Sequence, residues 1–317
     1  MRLLITGGAG FIGSAITREC VKRCDNILVV DNFSSGKLEN LPKTPRVQVE
    51  RMDIRDVEGL SSLLKEYHAD GIFHLAATVS VEEVENNEDD AFDNNVKGTF
   101  SILHAARQAG IRRIVFASSA AVYGAASLYC DSQIKEDSAK QPISAYGYHK
   151  YLGEIIGEMF ATIYDMNICA LRFFNVYGPR QDPSSPYSGV ISKFCRAAIE
   201  GTQPVIYGDG QQVRDFIYVD DVAKACYLAM QRISLFSDKY LALNVGTGRA
   251  ISILDLWCEI KKITGSMAGF DFGPKRKGDI RYSVADITAA QRYLGLTPQT
   301  TLRIGLQNTL NWIRYGS

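Results

Sequence analysis

The stretch that most constrains this chain lies near its beginning. Leu3, Leu4, Ile5 and Thr6 run straight into Gly7-Gly8-Ala9-Gly10-Phe11-Ile12-Gly13, and a helix-compatible run from Ser14 to Val21 follows. An apolar strand that ends in a glycine turn and opens a helix is the first unit of a doubly wound parallel sheet. Glycines at 7, 10 and 13 suit three separate needs. These are a tight turn, close approach of backbone to a pyrophosphate, and close packing of helix on strand. The free N–H groups and dipole at the helix start favour a phosphate there. A second apolar run, Ile27-Leu28-Val29-Val30, ends in Asp31, 18 residues beyond Gly13. A carboxylate at that place accepts hydrogen bonds from an adenosine ribose and repels a 2′-phosphate. Together these features predict dinucleotide binding, with NAD preferred over NADP.

The same alternation of strand and helix continues through the first half. The loop Asn32-Phe33-Ser34-Ser35-Gly36-Lys37 is placed to wrap the adenosine, and Val47–Met52 alternates as a third strand with Asp53-Ile54 at its end. Gly71-Ile72-Phe73-His74-Leu75-Ala76-Ala77 reads as a fourth strand, whose small Ala76 and Ala77 admit a cofactor. His74 sits inside that apolar run and is read as a satisfied core histidine. The acidic stretch Val81–Asp93 is expected to be solvated, and a helix is predicted from Asn94 to Ala109. Arg113–Ser119 is a fifth strand ending in two serines. Ligands bind beyond the carboxyl ends of parallel strands, so Ser118 and Ser119 are both expected to face the crevice. Tyr146-Gly147-Tyr148-His149-Lys150 then opens a helix running to about Ile163. Tyr146 and Lys150 stand four apart and share one helical face, a spacing that Tyr148 and Tyr151 do not have with Lys150.

Composition excludes several other classes. With 35 basic and 35 acidic residues interspersed, the formal net charge is zero, so neither a nucleic-acid tract nor a membrane-surface face is expected. No apolar run approaches the roughly 18–20 residues that span a bilayer. The apolar start is broken by glycines and reads as strand and turn rather than signal peptide. Seven cysteines without a Cys-x-x-Cys pair suit reduced thiols and a cytoplasmic location. The four histidines form no cluster with metal-ligand spacing, so no metal is expected.

These motifs, in this order, resemble the extended short-chain dehydrogenases/reductases, in their nucleotide-sugar epimerase/dehydratase branch. The resemblance covers essentially the whole chain. It runs through Gly7, Gly10, Gly13, Asp31, Asp53, Ser119, Tyr146 and Lys150 into four later blocks. Those are Arg172-Phe173-Phe174-Asn175-Val176-Tyr177-Gly178-Pro179-Arg180, Tyr187-Ser188-Gly189-Val190-Ile191, Gly208–Phe216 around Arg214, and Arg276-Lys277-Gly278-Asp279. The implied fold is a Rossmann-type doubly wound sheet with a smaller α/β substrate-binding domain. Residues 1–172 plus 214–246 would bind NAD, and 173–213 plus 247–317 would bind the nucleotide sugar. The resemblance implies a cofactor lined by Gly7, Gly10, Phe11, Ile12, Gly13, Asp31, Asn32, Ser35, Gly36, Asp53, Ile54, Leu75, Ala76, Ala77, Asn95, Tyr146, Lys150 and Phe173. It implies a UDP-sugar held by Ser80, Ser118, Ser119, Tyr146, Asn175, Gly189, Val190, Tyr207, Arg214, Arg276, Asp279 and Ser283. It also implies a homodimer, in which the helix near Asn94 and the Tyr146 helix pair with their copies as a four-helix bundle. Ile155, Met159 and Ile163 are compatible with that surface.

The implied chemistry is acid–base work coupled to hydride transfer. Tyr146 takes the sugar O4 proton, Ser119 positions the reacting hydroxyl, and Lys150 with the positive nicotinamide is expected to draw the phenol pKa toward neutrality. Return of the hydride to the other face of a 4-keto sugar gives C4 epimerisation without net redox change. Dehydratases of this branch carry an Asp-Glu pair where this chain has Ala120-Ala121, and decarboxylating members need a glutamate just before Val122-Tyr123. Epimerisation is therefore the expected outcome. A non-catalytic NAD-sensing protein on this fold would usually have lost Tyr146 or Lys150. The residue four positions after Asp279 walls the pocket beside the sugar C2 substituent in the resembled epimerases. Here it is Ser283, small like Gly189 opposite, which predicts UDP-GlcNAc and UDP-GalNAc as substrates alongside the plain hexoses.

Overall fold

In the computed structural model, which describes residues 1–125, 132–182, 189–275 and 279–316, β1 (Arg2–Thr6) is buried at every position after its first. A strand covered on both faces reads as a continuous apolar run, as this one does. It passes through the glycine turn into α1 (Phe11–Lys22), followed by β2 (Asn26–Asp31), β3 (Val47–Arg51), α2 (Val57–Tyr67) and β4 (Gly71–His74). Strand β4 stops at His74 rather than Ala77, because Leu75 and Ala76 bend to donate their amides to the Thr6 side chain. The acidic stretch forms α3 (Val81–Asn86) and α4 (Glu88–Phe92), which runs through a π-helical turn at Asp93–Lys97 into α5 (Gly98–Gln108). Helix therefore begins at Glu88, not Asn94. Glu88, Asp89 and Asp90 fill its first turn, where the helix dipole favours negative charge.

Next come β5 (Arg113–Ser119), α6 (Ala145–Tyr164) and β6 (Asn167–Phe173). Ser144 caps α6 by accepting from the Gly147 amide. The chain then weaves between regions through β7 (Asn175–Tyr177), α7 (Val190–Glu200), β8 (Val205–Tyr207), β9 (Val213–Arg214), β10 (Phe216–Tyr218), α8 (Val219–Arg232) and β11 (Tyr240–Val245). It finishes with β12 (Ile251–Ser252), α9 (Ile253–Thr264), β13 (Asp271–Gly273), β14 (Tyr282–Ser283), α10 (Thr288–Leu294) and α11 (Leu302–Tyr315). No helix among the described residues is long and apolar enough to cross a membrane.

One seven-stranded sheet carries the order β11-β6-β5-β4-β1-β2-β3, with every neighbouring pair parallel. The direction of winding reverses between β1 and β4, which opens a crevice beyond their carboxyl ends. One face of the sheet packs with α1 and α8 through residues such as Ile16, Ala225 and Met230; the other packs with α2, α5 and α6 through Leu60, Ile102 and Phe160. A third core, around Tyr177, Phe194, Trp257 and Leu306, joins α7, α9 and α11 outside the sheet. Ala290 and Leu294 of α10, with Leu296, belong to the first of these cores. That stretch of 247–317 is thus anchored on the sheet rather than in the smaller region, because its apolar side meets α8 and β11.

Candidate active site

The three glycines of the turn are doing three different things. Gly7 has φ +67°, and a Cβ there would lie 2.7 Å from the Ala76 amide nitrogen. Gly13 backs onto the turn so closely that a Cβ would reach within 2.1 Å of the Gly7 carbonyl oxygen. At Gly10 the nearest atom to an added Cβ is that same oxygen at 3.3 Å. The middle glycine therefore leaves an open approach above the start of α1, where Phe11 and Ile12 follow with free N–H groups. A diphosphate fits this cradle.

Asp31 ends β2 with its carboxylate tied to two parts of the rim. Oδ2 accepts from the Ala9 amide at 2.9 Å and Oδ1 from the Phe33 amide at 2.8 Å. Gly36 packs against the same carboxylate, since a Cβ there would lie 2.9 Å from both oxygens. Asn32 Nδ2 donates to Asp53 Oδ2 at 3.2 Å, and Ser35 lies exposed on the loop between Asn32 and Gly36. Hydrogen bonds from Arg55 hold the Asp53 carboxyl down at about 2, so it is charged at any working pH. Ile54 is buried against Gly98. Lys37, on the loop that follows Gly36, is paired with Asp182 at 3.3 Å.

Beyond β4 the wall is set by hydrogen bonds. His74 is 1% exposed and sits between Thr6 Oγ1 at 2.7 Å and Thr99 Oγ1 at 3.1 Å, a satisfied core histidine. Asn95, expected beside the cofactor, lies behind the wall that follows β4. It is buried within the π-helical turn, and its amide is spent on Thr78, accepting from the Thr78 N–H at 2.7 Å and donating to the Thr78 carbonyl at 2.8 Å. Asn95 thus shapes the Leu75–Thr78 wall from behind. Ser80 caps α3 by accepting from the Glu83 amide.

At the end of β5 the two serines separate, because successive residues of a strand point to opposite faces. Ser119 faces the Tyr146 phenol. Ser118 is 2% exposed and donates to Glu154 Oε1 at 2.5 Å, so its expected place in the crevice is corrected. Phe173, the last residue of β6, pairs with Ser119 in register. Lys150 is buried; its Nζ donates to the Ala117 carbonyl at 2.9 Å and lies 5.9 Å from the Tyr146 ring centre. Burial pushes the Lys150 ammonium down to about 8. Burial also raises the Tyr146 phenol, outweighing the lowering effect of Ser119. The lowering expected from Lys150 together with the positive nicotinamide acts against this burial, and the buried Lys150 ammonium beside the ring supplies the protein's share of it.

Of the residues expected to hold the substrate, Arg214 and Asp279 meet each other. Arg214 Nη2 donates to Asp279 Oδ1 at 2.6 Å, and Nη1 donates to the Val213 and Ile280 carbonyls. Ser283 pairs with Arg214 in the β14–β9 register and is 8% exposed. Asn175 donates to the Asp215 carbonyl at 3.0 Å, beside Arg214. Gly189 caps α7, which Val190 opens, and Tyr207 ends β8. Arg276, with Lys277 and Gly278, and Tyr187-Ser188 lie outside the described residues.

Sequence reading missed Asp215. Its fully buried carboxylate accepts from the Thr247 N–H and hydroxyl and from the Gly248 and Ala285 amides, locking the strands that carry Arg214 and Ser283. It also missed Glu154, although Glu154 continues the four-residue step from Tyr146 and Lys150, and marked Arg172 only as the opening of a family block.

A glycine cradle, a ribose-side carboxylate and a Tyr-x-x-x-Lys pair at the switch point of a parallel sheet define a dinucleotide-dependent enzyme of the Rossmann class. Residues 3–246 match the NAD dependent epimerase/dehydratase family. The chain is 37% identical over 320 residues to a UDP-glucose 4-epimerase from Mycolicibacterium smegmatis, covering 99% of both. Its structure matches a UDP-glucose 4-epimerase from Thermotoga maritima with UDP-glucose, at TM-score 0.93 and 36% identity, covering 100% of this chain and 99% of that one. It also matches a UDP-N-acetylglucosamine 4-epimerase from Methanobrevibacter ruminantium in complex with UDP-N-acetylmuramic acid, at TM-score 0.92 and 35% identity with the same coverage. The chain belongs to the NAD-dependent epimerase/dehydratase family, in its UDP-sugar 4-epimerase branch, and its cofactor is NAD.

Proposed function

We propose that this isomerase interconverts UDP-GlcNAc and UDP-GalNAc, with activity on UDP-glucose and UDP-galactose as well. Bound in the glycine cradle, NAD supplies a hydride acceptor and donor at the sugar C4. Tyr146 as phenolate would take the sugar O4 proton while hydride passes from C4 to NAD, and the phenol so formed would return that proton to O4 when hydride comes back to the other face. Ser119 holds that oxygen against the phenol. Buried Lys150 keeps a positive charge within the site at neutral pH, just below its value of about 8. Ala120 and Ala121 offer no second acid or base for elimination.

The observation that carries the sugar assignment is Ser283, a small side chain in register with Arg214. Strand alternation sends the neighbouring Tyr282 to the opposite face, so it does not fill the space beside Ser283. Exposed Gly189 supports the same reading. A plain-hexose preference is the second reading, favoured by the likeness to the Thermotoga enzyme crystallised with UDP-glucose.

An NMR time course on the four UDP-sugars, without added cofactor, tests both. Equilibration of the N-acetyl pair is expected, and Ser283→Tyr should depress that pair selectively, since overfilling a packed pocket costs about 1–3 kcal/mol. A wild type inert toward N-acetylated sugars, or equal loss on both classes in Ser283→Tyr, leaves the plain-hexose reading standing. We further infer a homodimer through α4–α5 and α6. Phe92, Phe100, Tyr148, Ile155 and Ile163 are exposed on those helices, whereas Met159 packs inward. A monomeric mass by light scattering at micromolar protein would refute it.

A further inference from the structure

Beneath the acid–base pair lies a buried polar network that the chemistry above does not use. Helix α6 presents Tyr146, Lys150 and Glu154 on one face, at steps of four residues. They meet three consecutive residues of β5. The Tyr146 phenol faces Ser119, Lys150 Nζ donates to the Ala117 carbonyl, and Glu154 Oε1 accepts from the Ser118 hydroxyl at 2.5 Å. Three side chains of one helix face are thus tied to the carboxyl end of one strand.

The Glu154 contact is anchored across the sheet. Ser118 of β5, Arg172 of β6 and Asn244 of β11 stand side by side in register. Arg172 donates to Glu154 Oε1 at 2.9 Å and to Oε2 at 2.6 Å, and both side chains are only 4% exposed. From Nη1 the same guanidinium donates to the Tyr123 hydroxyl and the Glu136 carbonyl, each at 2.9 Å. The Tyr123 hydroxyl donates to Asn244 Oδ1 at 2.6 Å. Every arm of the fork is used.

Stability does not account for such a pair. Replacing a buried ion pair by apolar residues of similar size is often neutral or stabilising, because desolvation of the two charges offsets their attraction. Direction accounts for it better. A bidentate guanidinium–carboxylate pair fixes an angle as well as a distance, and the carboxylate here is two helical turns along the face that carries the phenol. We propose that Glu154 is a positioning residue for the acid–base pair. Held by Arg172, it pins Ser118 and so sets the rotation of α6 on β5 at which Tyr146 meets Ser119. An apolar pair of equal volume would pack the same space without fixing that rotation, and small misplacements of catalytic groups cost up to about a hundredfold in rate.

The kinetic arm of the test rests on the epimerase reading; a second arm does not. The double variant Glu154→Met with Arg172→Met removes both charges together, and Ser118→Ala removes one anchor only. For each, kcat and KM on UDP-sugars, melting temperature and deuterium uptake of the 145–151 amides are measured against wild type. In the double variant the melting temperature should hold within a few degrees, KM should stay within about threefold, and kcat should fall at least about tenfold. Uptake should rise in 145–151 and not in β1 or β2. Ser118→Ala should lower kcat by a smaller factor with the same split. Unchanged kcat in either variant overturns the proposal, as does a kcat loss matched by an equal change in KM or by global unfolding in Ser118→Ala. Should the double variant not fold, Ser118→Ala decides alone. Should wild type act on none of the four UDP-sugars, the substrate reading fails and local uptake at 145–151 decides.

Discussion

Gly13→Ala separates the packing role of the glycine turn from its binding role. The added Cβ would stand 2.1 Å from the Gly7 carbonyl oxygen, 2.8 Å from Gly8 Cα and 2.9 Å from the Gly7 carbonyl carbon. All three are backbone atoms, so no side chain can swing aside. The turn cannot retreat either: the Gly7 amide donates to the Val30 carbonyl at 2.8 Å, and Ala76 presses on Gly7 from the other side. Helix α1 must back away by about an ångström, which loosens its packing on α8. Overpacking of this kind costs about 1–3 kcal/mol, and the upper end applies where only backbone can move. For a chain of 317 residues about 3 kcal/mol lowers Tm by roughly 4–5 °C. Gly10→Ala is the control. Its Cβ meets only the Gly7 oxygen at 3.3 Å, and Gly10 has an extended conformation that alanine adopts. Its cost to the fold, mostly a weaker N-cap, is about 1 kcal/mol, yet its methyl occupies the diphosphate approach. Thermal melts of NAD-free protein and calorimetric NAD titrations check both variants. The expected pattern is a low Tm for Gly13→Ala and a near-normal Tm with weak NAD binding for Gly10→Ala. A Gly13→Ala protein melting within about 2 °C of wild type, or a Gly10→Ala protein binding NAD normally, would show that the roles are misassigned.

Two further outcomes follow from the buried helix face. Tyr146→Phe should lower kcat by about 10²–10⁴ while leaving melting and NAD content unchanged; retention of a tenth of wild-type turnover would move the acid–base role to another group, with His149 next to test. Lys150 is held at about 8 in the fold against 10.5 when free. A lowered cationic pKa penalises the folded state fully below pH 8, and the penalty fades as pH rises toward 10.5; at about 1.4 kcal/mol per pH unit its ceiling is about 3 kcal/mol. Lys150→Met should therefore be inactive yet at least as stable as wild type at pH 7 without NAD, with its relative advantage shrinking by pH 10. Denaturant melts at both pH values check the sign, and a constant difference between them would refute it.

How much of this was legible in the chain depends on how local each cause is. The strand–glycine–helix opening, the Asp31 carboxylate and the Tyr146/Lys150 step are set by sequence spacing alone, because turn geometry, strand ends and helical periodicity act within a few residues. Burial on both faces likewise wrote β1, β2 and β5 as apolar runs. What the sequence did not determine was which way a residue points once several elements converge. Ser118 and Ser119 look alike as neighbours, but only the β5–β6 register and the arrival of Glu154 from α6 decide that one is buried in an ion-pair network and the other faces the phenol. That Asn95 holds Thr78 from a π-helical turn is likewise set by tertiary contact and not by its neighbours in sequence. Asp215 gathers partners 32 to 70 positions away, and no local pattern announces such a hub. The phenol and ammonium charges belong to the same class: composition supplies the groups, but only packing decides how far water is excluded from them, and that exclusion raises Tyr146 and lowers Lys150.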